Sequence, residues 1–141
     1  PLATLITPNI PEAEILAGIK IQNADDIKAA AAAISQLGCK YVLIKGGHFT
    51  GTEKIDYLFE DGKQRTSYRG ISIDTRNTHG TGCTLSSAIT SYLAREYDMN
   101  TAIAMAKTYL SGAILAGKGV KIGEGHGPVN HFYEPKSLFI K

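Results

Sequence analysis

Two short apolar runs, Leu2-Ala-Thr-Leu-Ile6 and Tyr41-Val-Leu-Ile44, flank a stretch with helical periodicity. That arrangement constrains the fold more than any other feature of the chain. Short apolar runs of this kind read as buried strands. Between them, segment 24–37 is Ala-rich and places Ile27, Ala30, Ile34 and Leu37 on one helical face. Asn23 and Asp26 resemble a capping pair at its start, and Gly38 ends it. Ahead of it, Thr7-Pro8-Asn9 breaks the first run. Pro11 to Gly18 reads as a short helix, with Pro at its first position and Gly as its stop. Strand, helix, strand is a βαβ unit, which predicts a parallel pair with a right-handed crossover and an α/β fold.

The middle of the chain has a different rhythm. Ile55–Phe59 and Gln64–Tyr68 flank Asp61-Gly62, a strong hairpin signal. Ile71-Ser72-Ile73 reads as a third short strand, and 74–80 as a polar turn. Thr81–Tyr97 and Thr101–Ala116 read as helices. The second carries Ile103, Ala106, Leu110, Ala113 and Ile114 on one face. A Gly-rich segment follows, from Gly117 to Gly127 and Pro128.

Composition narrows the class. The chain has 141 residues, 43% hydrophobic and 20% charged, as in soluble globular proteins. A net charge of +2 argues neither for nor against an anionic partner; a strong nucleic-acid footprint would be more basic and more clustered, and no nucleic-acid partner is expected. No apolar run reaches the ~20 residues of a membrane span, and the start lacks signal-peptide layout. Two cysteines, Cys39 and Cys83, cannot form a disulfide framework and fit a reducing, cytoplasmic setting. Cys39 reads as packing beside the strand 41–44.

The chemistry concentrates in Asn77-Thr-His-Gly-Thr-Gly-Cys-Thr-Leu-Ser-Ser-Ala88. Gly80 and Gly82 stand where a polar loop becomes a helix. Glycine lets backbone approach a ligand, and the first N–H groups of a helix lack internal partners at the positive end of its dipole. Together they can form an anion site. Cys83 falls in the first turn, where the dipole favours the thiolate. Such loops are also common plain connectors, and a lone Cys is often a small core residue. The P-loop pattern and the dinucleotide fingerprint are both absent.

Other candidates follow strand ends. Lys45 follows run 41–44, at the carboxyl end where open α/β sheets bind ligands, or else it is a solvated strand-end Lys. Asn9 and Glu12 follow the first run. They could hold Mg²⁺ directly or through its waters, or be an N-cap and a first-turn acid. Anion donors, a cation and a metal anchor are the parts a phosphoryl transferase needs.

These residues carry a resemblance. The segment from Asn77 resembles the C-terminal signature of the ribokinase-like superfamily, where a Gly-x-Gly-Asp segment opens a helix and forms the anion hole. Here Cys83 takes the Asp position, as in the vitamin kinase branch. The chain is most similar there to the hydroxymethylpyrimidine/phosphomethylpyrimidine kinases of thiamine biosynthesis. Thr7-Pro-Asn-Ile-Pro-Glu-Ala-Glu14 resembles that family's Asn-x-x-Glu metal motif. Val42-Leu-Ile-Lys-Gly-Gly-His48 resembles its Lys-bearing strand, and Gly125-His-Gly-Pro-Val-Asn-His131 its Gly-rich C-terminal segment.

The resemblance implies a three-layer α/β/α fold with a mostly parallel sheet and a β-hairpin. It implies ATP and Mg²⁺, and a small pyrimidine alcohol and its monophosphate as substrates. Cys83 would accept the alcohol proton, and the N–H groups of Gly80, Thr81 and Gly82 would stabilise the transferring phosphoryl. Lys45 would neutralise phosphate or hold the substrate. Asn9 and Glu12 would anchor Mg²⁺ through water. Thr78, Gly80, Gly82, Gly117 and Gly125 would line the nucleotide, and His79 would shape the loop. The chain would be the C-terminal nucleotide- and phosphate-binding part of such a kinase, homodimeric when intact. The start at Pro1, without Met, fits absence of the N-terminal half. Leu2–Ile6 and Tyr41–Ile44 would then expose a sheet edge. Three alternatives stand beside this reading: a pyridoxal kinase of the same branch, a non-catalytic nucleotide-binding fragment, and a thiol hydrolase pairing Cys83 with His79 or His126.

Overall fold

The computed structural model describes residues 2–47 and 53–135. Pro1 and His48, both singled out above, lie outside the described residues. The chain divides into two compact units, Pro1–Ser72 and Ile73–Lys141.

The first unit is a mixed sheet with two helices. Its elements are β1 (Leu5–Ile6), α1 (Ile10–Ala17), α2 (Ala24–Ser35), β2 (Tyr41–Gly47), β3 (Glu53–Glu60) and β4 (Lys63–Ile71). The strand order is β1-β2-β3-β4. β1 and β2 are parallel, with Leu5 opposite Tyr41, as the βαβ reading requires. The other two pairings are antiparallel. Within the described residues the sheet is therefore mixed rather than mostly parallel, because the hairpin extends it on one side. β2 is paired on both sides, so of the two expected edge segments only β1 is an edge.

Local chemistry explains the boundaries. β1 keeps only two of the five residues expected, since its partner begins at Tyr41. Reciprocal capping boxes open both helices, Asn9 with Glu12 and Asn23 with Asp26, each satisfying two orphan N–H groups. Gly18, left-handed at φ 71°, closes α1. The Glu14 carboxylate accepts from the Ile21 N–H and from Lys20. The backbone bond first, then the Lys20 bond, hold its carboxyl below the usual value. The hairpin turns through Asp61 and Gly62, both at positive φ, the geometry of an Asp-Gly turn. Ile71 ends β4 opposite Glu53, and Ser72 and Ile73 continue no strand. The expected third strand is thus the end of the second arm of the hairpin.

The core of this unit lies between the helices and one face of the sheet. Ile27, Ala30, Ile34, Val42, Ile44 and Phe59 are all essentially inaccessible. Leu37, expected on the same helical face, is 54% exposed because α2 stops at Ser35. Cys39 is buried as expected and its thiol lies 3.7 Å from the Ile34 carbonyl oxygen.

The second unit packs α3 (Thr81–Ala94) against α4 (Met99–Gly117), followed by an irregular segment. α3 ends three residues before the expected Tyr97, where Glu96 takes a positive φ of 67°. α4 starts two residues before the expected Thr101, since Asp98 caps it by accepting from the Thr101 N–H and hydroxyl. Ile103, Ala106 and Ala113 are buried and Leu110 and Ile114 half-buried, as their shared face predicts.

Candidate active site

In the first unit the structure brings Asn9, Glu12 and Lys45 together. Asn9 and Lys45 form an isolated parallel bridge just beyond β1, and the Lys45 N–H donates to the Pro8 carbonyl at 2.8 Å. The Lys45 ammonium donates to the Thr7 carbonyl. The carboxyl end of β2 thus sits beside the start of α1, where open α/β sheets present ligand groups. Glu12 Oε2 accepts from the Asn9 N–H and Asn9 Oδ1 from the Glu12 N–H, both at 2.8 Å. The two side chains are a capping box, and both remain exposed.

Asp56 is the residue sequence reasoning missed here. It is 7% exposed, and its Oδ1 accepts from the Gly46 N–H at 2.8 Å. Gly46 lies in the register shift between Ile44 and Gly47, where β2 stops pairing regularly with β3. A carboxylate inside the apolar run Ile55–Phe59 was the available signal. It stiffens the strand end that carries Lys45.

In the second unit the loop 74–80 leads into α3. Gly80 is the N-cap, at φ 82° and ψ 4°, a left-handed conformation that favours glycine. A Cβ built at Gly80 or Gly82 meets nothing within 4 Å, so packing is not what selects these two glycines. Among the described residues no side chain caps this helix. Apart from Thr81, whose N–H turns back to the Thr78 carbonyl, its first N–H groups are therefore available to an anion. Cys83 lies exposed in the first turn. The buried Thr84 hydroxyl donates back to the Gly80 carbonyl at 2.8 Å and braces the turn. A groove of about 570 Å³ runs along α3 from Gly80 and Cys83 to Tyr92, Tyr109 and His131.

The Gly-rich segment meets this loop. The His79 N–H donates to the Gly127 carbonyl at 3.2 Å, and Thr81 N–H to the Thr78 carbonyl at 3.3 Å. A second cavity of about 310 Å³ is lined by Arg76, Asn77 and residues 118–125, so Gly125 faces it. Gly117, buried at the end of α4, borders that segment and lends its carbonyl to the Asn77 side chain. Thr78, Gly80, Gly82, Gly117 and Gly125 thus all belong to this unit. Asn77, which opened the singled-out motif without an assigned role, is the second residue that sequence reasoning undervalued.

The α/β fold with a helix opened by Gly-x-Gly-Cys defines a ribokinase-like chain. Its family follows from sequence comparison. Residues 1–130 match the family described as phosphomethylpyrimidine kinase, and the chain belongs to that family. It is 47% identical over 93% of its length to the thiamine biosynthesis bifunctional protein ThiED of Geobacter sulfurreducens. It is 43% identical, again over 93%, to the hydroxymethylpyrimidine/phosphomethylpyrimidine kinase of Streptomyces coelicolor. Among solved structures it superposes on the ADP complex of Bacillus subtilis pyridoxal kinase. There the TM-score is 0.80 at 36% identity, covering 92% of this chain and 48% of that one. The chain spans 26% of the Geobacter protein and 47% of the Streptomyces kinase.

Proposed function

We propose that this chain supplies the phosphate-handling half of an ATP-dependent kinase that phosphorylates a hydroxymethylpyrimidine and then its monophosphate. The observation that carries the reading is the exposed Cys83 in the first turn of a helix opened by left-handed Gly80, inside a motif of the matched family. In this reading the Cys83 thiolate takes the proton of the substrate alcohol. The alcohol oxygen bonds to the γ-phosphorus as the bond to the ADP oxygen breaks. The N–H groups of Gly80 to Cys83 stabilise the transferring phosphoryl, whose charge is spread over its oxygens. Lys45 neutralises phosphate, and the Gly117–Gly127 segment with Thr78 faces the nucleotide. The setting is cytoplasmic, in keeping with exposed Cys83 as a free thiol. Among the described residues no helix is long and apolar enough to cross a membrane. The intact protein acts as a homodimer.

Asn9 and Glu12 suit Mg²⁺ by donor chemistry. One exposed carboxylate and one amide oxygen match an ion that keeps several waters and takes few protein ligands. Among the described residues no group of three or more His, Cys, Asp or Glu offers a fuller cage. When bound, Mg²⁺ neutralises phosphate charge. Glu12→Gln keeps a side chain able to complete the capping box but removes the charge. It should raise the Mg²⁺ needed for half-maximal turnover roughly tenfold or more. An unchanged metal titration would leave Glu12 as a helix cap alone.

A second reading, pyridoxal phosphorylation, is favoured by the superposition on Bacillus subtilis pyridoxal kinase. The deciding experiment joins this chain to the unmatched part of the Streptomyces coelicolor kinase and compares the two alcohols with Mg-ATP. Faster turnover of the hydroxymethylpyrimidine is expected. Pyridoxal turned over much faster would replace the first reading by the second.

A further inference from the structure

We propose that Asn77 is a positioning residue whose side-chain amide fastens residues 117–120 to the loop that opens α3, fixing one register between the two walls of the nucleotide cleft. This rests on the reading of 117–127 as the nucleotide side of the site.

An Asn side chain has two N–H donors and one carbonyl acceptor. Both donors of Asn77 are committed to the same distant segment. Nδ2 donates to the Gly117 carbonyl at 2.7 Å and to the Val120 carbonyl at 2.6 Å. The first of these carbonyls ends α4 and also accepts from the Val120 N–H at 3.1 Å, so the Asn77 amide adds a second bond to that turn. The third point of contact is Gly127. A Cβ built there would lie 2.2 Å from Asn77 Oδ1, so glycine is required for close approach. One side chain, 8% exposed, therefore touches the segment at its start, middle and end.

The surrounding bonds hold Asn77 itself. Its N–H donates to the Thr75 hydroxyl at 3.1 Å. His79 N–H reaches the Gly127 carbonyl, and His126 Nδ1 lies 3.1 Å from the Arg76 carbonyl. Those bonds tie the loop to residues 126–127. The Asn77 amide ties it to 117–120, at the opposite end of the segment that walls the 310 Å³ cavity. Only Thr78 and His79 separate Asn77 from Gly80, so a shift at 117–120 moves the cavity wall against the anion loop. An Asp at this position would set a carboxylate against two carbonyl oxygens, and an apolar residue would take the side-chain donor from both, leaving the Gly117 carbonyl only the Val120 N–H.

The test uses this chain, ADP with Mg²⁺, calorimetry and native-state hydrogen exchange, on Asn77→Ala, Gly127→Ala and the double variant. Each single variant should weaken ADP binding roughly tenfold or more, since Asn77→Ala removes both side-chain donors and Gly127→Ala drives a Cβ into Asn77 Oδ1. Exchange should accelerate at the His79 and Val120 amides and stay slow within α4 at Ala106. Because both substitutions break the same contact, the double variant should be no worse than Asn77→Ala alone. Unchanged affinity with retained protection at His79 and Val120 would overturn the role. So would additive losses, or loss of protection throughout α3 and α4, which would mark Asn77 as a general stability residue. A wild-type chain that binds no ADP would sink the nucleotide reading instead, while the exchange pattern and the cycle still decide the fastening.

Discussion

Cys83→Ala should lower kcat by roughly 10²–10⁴-fold, the range for losing a general base. The measurement belongs in the protein that joins this chain to the unmatched part of the Streptomyces coelicolor kinase, with the pyrimidine alcohol as substrate. The expected pattern is specific. The KM for ATP should change little, because Gly80 and the backbone N–H groups of the first turn survive the substitution. Cys83→Ser should fall between, since a hydroxyl at the same point is a far weaker acid to ionise. Thiol labelling supplies an independent check, with exposed Cys83 reacting well before buried Cys39. Protection of Cys83 by a non-hydrolysable ATP analogue with substrate would place the thiol at the reacting centre. Wild-type turnover by Cys83→Ala would remove it from the chemistry and leave the loop as an anion cradle alone.

The division between what was legible in the chain and what was not follows the range of the interactions. Features decided within a few residues read well. The Asn23–Asp26 box, the Gly18 stop, the Asp61-Gly62 turn and the Gly80 helix start all depend on local backbone chemistry. The parallel pairing of Leu5 with Tyr41 was also legible, because short strands separated by a helix leave few topologies. Boundaries set by a partner did not read. β1 shrinks because its neighbour begins at Tyr41, and Leu37 is exposed because its helix has already ended. Periodicity extends a face past the point where the backbone leaves it.

The candidate site divides in the same way. Cys83, Gly80 and Gly82 announce themselves by type and spacing. Asn77 and Asp56 do not, because each acts on a backbone group far away in sequence. Asn77 serves carbonyls 40 and 43 residues on, and Asp56 an N–H ten residues back. Their only local mark is a polar residue where burial would have favoured an apolar one. The pair Asn9 and Glu12 carries two meanings at once. The capping box is visible in the structure, while the proposed metal role would use the oxygen lone pairs that the box leaves over.

Phe59→Ala should destabilise the first unit by about 3–5 kcal/mol, the usual cost of emptying a buried aromatic site. Phe59 is 1% exposed and stands opposite Val42 in the β2–β3 pair, within the cluster formed with Ile27, Ile34 and Ile44. Helices and sheet meet on that ring, so the void cannot be filled without moving one of them. Against a typical total of about 5–15 kcal/mol, such a loss leaves little. The functional consequence is direct, because the same β2 strand carries Lys45 three residues beyond Val42 and positions Asn9 through the bridge. Phe59→Leu, closer in volume, should cost less than Phe59→Ala. Leu37→Ala is the matched control. Periodicity places Leu37 on the buried face, but it is exposed in the structure and its loss should stay within about 0.5 kcal/mol. Urea midpoints followed by circular dichroism, with exchange at the Val42 and Ile44 amides, separate the two. Equal shifts for Phe59→Ala and Leu37→Ala would mean that the core does not lie between these helices and this face of the sheet.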